Sequence, residues 1–117
     1  MADTFFHVSN VQSVNVVELS LPQSLDSEEF DRLNEQMLAL FDGQPAGKWV
    51  LDLSRLSYMG SSALGLMVNI RQRIKQGGGR LVLCEMSARL LHIFQTCCME
   101  RLFTIKPTRA DALRAVG

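Results

Sequence analysis

The chain lacks any excess of charge. Over 117 residues, 12 Lys and Arg balance 12 Asp and Glu. A dedicated nucleic-acid surface needs clustered basic excess, so nucleic acid is not expected as a partner. Long apolar runs are also missing. None approaches the roughly 18 residues of a membrane span, and no span is expected. The start, MADTFFHVSN, has no charged stretch leading into an apolar core, so no signal peptide is expected there. Cysteine is scarce. Cys84, Cys97 and Cys98 are an odd number without framework spacing, which predicts a reduced, cytoplasmic setting. Adjacent Cys97 and Cys98 do not have the C-x-x-C spacing that tetrahedral zinc sites favour. His7 and His92 have no visible partners, so neither metal nor cofactor is expected. Repeats, linkers and low-complexity tracts are absent.

What the chain has is a core. At 47% hydrophobic it is one domain's worth, with a single domain expected over 1–117. The stretch from Val50 to Ile74 organises it. Trp49-Val50-Leu51, with Leu53 beyond Asp52, reads as a buried strand. A polar turn follows from Ser54 to Tyr58, then Gly60-Ser61-Ser62. Ala63, Leu66, Met67, Ile70 and Ile74 fall at i, i+3, i+4, i+7 and i+11, one stripe of a helix. The spacing places the two serines at the N-cap and just before it. A helix start carries roughly +0.5 of a charge and unpaired donors, and a phosphoryl group there would add about −1.5 to −2 charges. Both serines also fit plain helix caps.

The rest alternates. Phe5 to Asn10 and Val14 to Leu19 read as a hairpin broken at Gln12-Ser13, the second run too apolar for a one-sided strand. Pro22 ends regular structure. Asp26 with Glu29 fits a capping box, and Phe30, Leu33, Met37, Leu40 and Phe41 continue a helix to Asp42-Gly43. Pro45-Ala46-Gly47 reads as a turn. The second helix ends at Gln76-Gly77-Gly78-Gly79. Those glycines follow a helix and precede a strand, the wrong polarity for a phosphate cradle. Arg80 to Glu85 reads as a strand in which Leu81-Val82-Leu83-Cys84 is apolar without alternation, as in a strand covered on both faces. Ser87 caps a third helix with Leu90, Leu91, Phe94 and Cys98 near one face. Leu102 to Ile105 is a short strand, and Thr108 with Asp111 opens a last helix bearing Leu113 and Val116. The order ββαβαβαβα predicts an α/β fold with parallel pairing through helical crossovers.

The junction resembles the signature of the STAS domain, the fold of bacterial anti-sigma-factor antagonists. That pattern runs from a strand through Asp and a small loop to Asp-Ser-Ser-Gly-Leu-Gly opening a helix. Here Asp52 ends the strand and Gly60-Ser61-Ser62-Ala63-Leu64-Gly65 forms the junction. Gly60 stands for the usual Asp, and Ala63 for the usual Gly. Gly78-Gly79-Arg80-Leu81-Val82-Leu83 and Glu100-Arg101-Leu102-Phe103 are weaker likenesses. Cys98 falls where the family has a helix-ending Gly.

The resemblance implies a small mixed sheet with helices mainly on one side, and no enzyme. It implies a partner, an anti-sigma factor with serine kinase activity, and a monomer or weak dimer. ATP and magnesium would belong to the kinase. Ser61 corresponds to the phosphorylated serine, with Ser62 a possible second acceptor. Gly60, Ser61, Ser62, Leu64, Gly65 and Val68 would form the docking face, and Asp52 would organise the loop by accepting from its amides. Gly65 inside a helix costs about 1 kcal/mol. It fits close packing against a neighbouring element or against a partner. The alternative is a non-phosphorylated STAS subunit of a lipid-transport ABC assembly. A hydrolase built on Ser61, His92 and Asp52 is the third reading. No G-x-S-x-G elbow surrounds Ser61, and a small domain has few loops for a pocket.

Overall fold

The computed structural model describes residues 5–21, 26–44 and 46–117. The expected ends at Pro22 and Pro45 lie outside them. The order is β1 (Phe6–Val11), β2 (Val14–Leu19), α1 (Ser27–Asp42), β3 (Lys48–Asp52), α2 (Ser61–Gln76), β4 (Arg80–Cys84), α3 (Ala88–Thr96), β5 (Thr104–Lys106) and α4 (Arg109–Val116). This is the predicted ββαβαβαβα.

The five strands lie side by side in sequence order. β1 runs antiparallel to β2, and every later pairing is parallel. Each crossover therefore steps the same way, and right-handed crossovers then stack their helices on one face. Leu33, Met37 and Phe41 of α1, Leu66, Met67 and Ile70 of α2, and Leu90 and Phe94 of α3 share one core with Val17, Trp49, Leu51 and Leu83. The other face is covered by α4, whose Ala112 and Val116 lie on Val14, Val16, Val50, Val82 and Cys84. Burial on both sides explains why β2, β3 and β4 do not alternate.

The caps follow local chemistry. Asp26 and Glu29 form the capping box of α1. Ser87 accepts from Leu90 N at 3.1 Å, and Thr108 from Asp111 N at 3.1 Å. Two expectations need correction. The last strand begins at Thr104, two residues late. Cys98 is not on the buried face of α3, which ends at Thr96. It is exposed, with φ at 57°. Cys98 N donates to Gln95 O at 3.0 Å and Met99 N to Phe94 O at 2.8 Å. That is a Schellman closure, which turns the chain so that Met99 rather than Cys98 enters the core. A left-handed residue with a Cβ is strained. Cys98→Gly should therefore stabilise the fold by about 0.5–1 kcal/mol in chemical denaturation. Loss of stability would contradict this account of the turn.

Candidate functional site at the start of α2

β3 delivers the chain at Asp52, and the loop after it is pinned from below. Leu53, Leu56 and Met59 are buried, while Ser54, Arg55, Ser57 and Tyr58 face out. With Met59 anchored, Gly60 takes extended backbone and becomes the N-cap of α2. Ser61 and Ser62 are then the first and second helical residues, not the cap and its predecessor. No side chain caps this helix. The helix phase decides it: Leu64, Met67 and Ile70 must face the core, and this turns both serines to solvent. The helix starts with exposed hydroxyls beside backbone donors that no side chain claims.

Gly65 is one turn on from Ser61 and exposed. A Cβ built there meets nothing within 4 Å, so internal packing does not require a glycine. Gly65→Ala should stabilise the isolated protein by roughly 0.5–1 kcal/mol, measured by denaturant titration. A destabilised variant would show hidden crowding. Val68 is half-buried on the core. Leu64 is buried, so it supports this surface from beneath. Tyr58 is 50% exposed and leans over the start, its hydroxyl 3.9 Å from a Cβ at Gly60. The Arg89 guanidinium lies 5.6 Å from the centre of the Tyr58 ring, within cation–π range.

Asp52 bonds to the loop that follows it and to α4. Its Oδ1 accepts from Ser54 N at 2.9 Å. Its Oδ2 accepts from Arg109 Nε at 2.9 Å and Nη2 at 2.7 Å. Arg109 Nη2 also reaches Glu18 Oε2 at 3.2 Å, and Glu18 faces Arg55 at 3.4 Å. Glu85 Oε2 accepts from Arg109 N at 2.7 Å. This network ties β2, the loop after β3 and the start of α4 together. Burial alone pushes the Asp52 carboxyl up, but the Ser54 and Arg109 interactions outweigh it and hold it below its ordinary value. Cys84, buried beside Asp52 and Glu85, has its thiol pushed up to about 12. It is a core residue, not a nucleophile.

Sequence reasoning did not find Arg109 or the Tyr58–Arg89 pair. One signal existed for Arg109: a cation in the first turn of a helix opposes the dipole and calls for an acidic partner. The hydrolase constellation does not assemble. Asp52 points to the α4 face, whereas α3, which carries His92, packs on the other. Among the described residues no group of three His, Cys, Asp or Glu could hold a metal, and no helix is long and apolar enough to cross a membrane.

The family model described as the STAS domain matches residues 7–112. The chain belongs to the STAS domain family. These are regulatory, non-catalytic domains. The chain is 28% identical over 91 residues to BtrV of Bordetella bronchiseptica, which carries the name of an anti-sigma factor antagonist; the match covers 78% of each. An anti-sigma-factor antagonist (STAS) domain protein from Planctomyces limnophilus has a similar structure, at TM-score 0.79 and 28% identity over 95% of this chain and 97% of that one. The Bacillus cell fate determinant SpoIIAA in its phosphorylated form shares the fold, at TM-score 0.65 and 21% identity over 96% of this chain and 99% of that one.

Proposed function

We propose that this domain is an anti-sigma-factor antagonist that binds an anti-sigma factor with serine kinase activity and is switched by phosphorylation at Ser61. The observation that carries the reading is the exposed Ser61 hydroxyl at the first position of an uncapped helix. A phosphoryl group on that oxygen lies beside free amides and the positive end of the dipole, so the fold accommodates it. Gly60 departs from the Asp of the family pattern: it leaves those amides unclaimed by a side chain, and it supplies no carboxylate to place the serine for a kinase, which keeps the non-phosphorylated subunit as the alternative. The phosphoryl charge in a desolvated interface costs several kcal/mol unless the partner offers a cation. Unphosphorylated protein would dock through Ser61, Ser62, Gly65 and Val68 and free the sigma factor. Phosphorylated protein would be released.

The test uses a cognate serine-kinase anti-sigma factor, ATP and magnesium. Mass spectrometry should find one added phosphate, on Ser61. Transfer only to another residue, or none with a kinase that binds the domain, removes Ser61 as the switch. Absence of both binding and transfer favours the non-phosphorylated transport subunit.

A further inference from the structure

The two edges of the sheet are β1 and β5, and they differ. β5 is three residues long, ends in Lys106 and is followed by Pro107. Short length, a lysine and a proline all keep an edge from pairing with another chain. β1 has none of these. Its six residues, Phe6–Val11, include no Lys, Pro or acidic side chain. Its register with β2 is continuous, so no bulge turns it aside. Among the described residues no strand lies beyond it.

The register shows which backbone groups face outward. Ser20 N donates to Phe5 O at 2.8 Å, which makes Phe5 and Ser20 a hydrogen-bonded pair. Such pairs alternate along an antiparallel ladder. His7–Glu18, Ser9–Val16 and Val11–Val14 are therefore bonded pairs too. The last closes a two-residue turn with φ positive at both Gln12 and Ser13, the I′ geometry that fixes a hairpin's register. Phe6, Val8 and Asn10 thus direct their N–H and C=O groups away from β2. Val8 is also one of the few large apolar side chains left exposed, at 37%.

We propose that this edge pairs with the same strand of a second copy, antiparallel about a two-fold axis at Val8, so that the two sheets become one. The axis falls on Val8 because the backbone groups of Ser9 are already used. Val8 then lies opposite the partner's Val8, and Phe6 opposite the partner's Asn10. Both pairs exchange N–H and C=O. His7 faces the partner's Ser9, so no charge meets a like charge. A two-fold axis across the sheet keeps the helices of both copies on one side, and the interface is isologous. That self-complementarity selects a second copy over an unrelated strand.

Sedimentation over a concentration series tests this with the full chain. Wild type should show a reversible monomer–dimer equilibrium. Val8→Lys sets two ammonium groups face to face and should weaken self-association by at least about tenfold. Its circular dichroism and melting should stay those of wild type, because Val8 makes no ladder bond to β2. A second readout does not depend on that variant folding. In a chain carrying Cys97→Ser and Cys98→Ser, Val8→Cys should form a disulfide dimer under mild oxidation. Directly opposed Cα atoms lie about 5.5 Å apart, inside the range a disulfide spans. Asn10→Cys, which faces Phe6, should not. A wild type that stays monomeric throughout, a dimer indifferent to Val8→Lys, or equal cross-linking at both positions overturns the proposal.

Discussion

Arg109→Ala should lower stability by about 2–3 kcal/mol, between the small worth of an exposed ion pair and the 3–5 kcal/mol of breaking a buried one. The environment sets the figure. The Asp52 side chain is 5% exposed and that of Arg109 37%, so the carboxylate is desolvated while the guanidinium keeps some water. Removing Arg109 leaves Asp52 Oδ2 without its two donors and Glu18 with only Arg55. For a domain of this size the melting temperature should fall by roughly 6–15 °C. Arg109→Lys should recover only part, since a point charge cannot give both Nε and Nη2 contacts. Acid should expose the same network. Asp52 is held below its ordinary value, so it adds stability above the unfolded value of about 4 and loses it as pH falls through the folded value. Below about pH 4 wild type should lose stability more steeply than Asp52→Asn. An unchanged melting temperature in Arg109→Ala, or parallel acid curves, would show that this network does not hold the loop.

At the start of α2, folding and binding should separate. Ser61→Asp carries one negative charge and is an imperfect mimic of a phosphate. Next to free amides it should leave melting nearly unchanged, because the dipole favours an anion. Partner binding should weaken at least about tenfold, or 1.4 kcal/mol. Ser61→Ala should bind close to wild type. It should also melt close to wild type, because Ser61 is not the cap and no cap bond is lost. Gly65→Leu points a large side chain into open space. It should fold at least as well as wild type and still block a partner that approaches there. If Ser61→Asp and Gly65→Leu both fold and bind like wild type, the docking face lies elsewhere.

The sequence made the frame legible because each element carries its own local signal. The i, i+3, i+4 stripes of α1 and α2 are local patterns, as are the capping box at Asp26 and Glu29 and the hydroxyl caps at Ser87 and Thr108. The exact start of α2 was not legible. A serine before an apolar stripe reads alike at the cap and one residue on. What separates the two is the anchoring of Leu56 and Met59 beneath the loop, a tertiary fact. Leu64 shows the same limit, since its position beside the serines gives no hint that its side chain enters the core. The Asp52–Arg109 pair is separated by 57 positions and by α2, β4, α3 and β5, and no spacing encodes it. Gly65 was ambiguous between an internal and an external neighbour, and only the empty space around it removed the internal one.

Under the proposed switch, one phosphate on Ser61 decides whether this domain is bound. The most direct measurement is calorimetric titration of the serine-kinase anti-sigma factor with unmodified protein and with protein phosphorylated at Ser61, both shown to be folded. Unmodified protein should bind, and the phosphorylated form should bind at least about tenfold more weakly at an unchanged stoichiometry. Equal affinity of the two forms would contradict the switch.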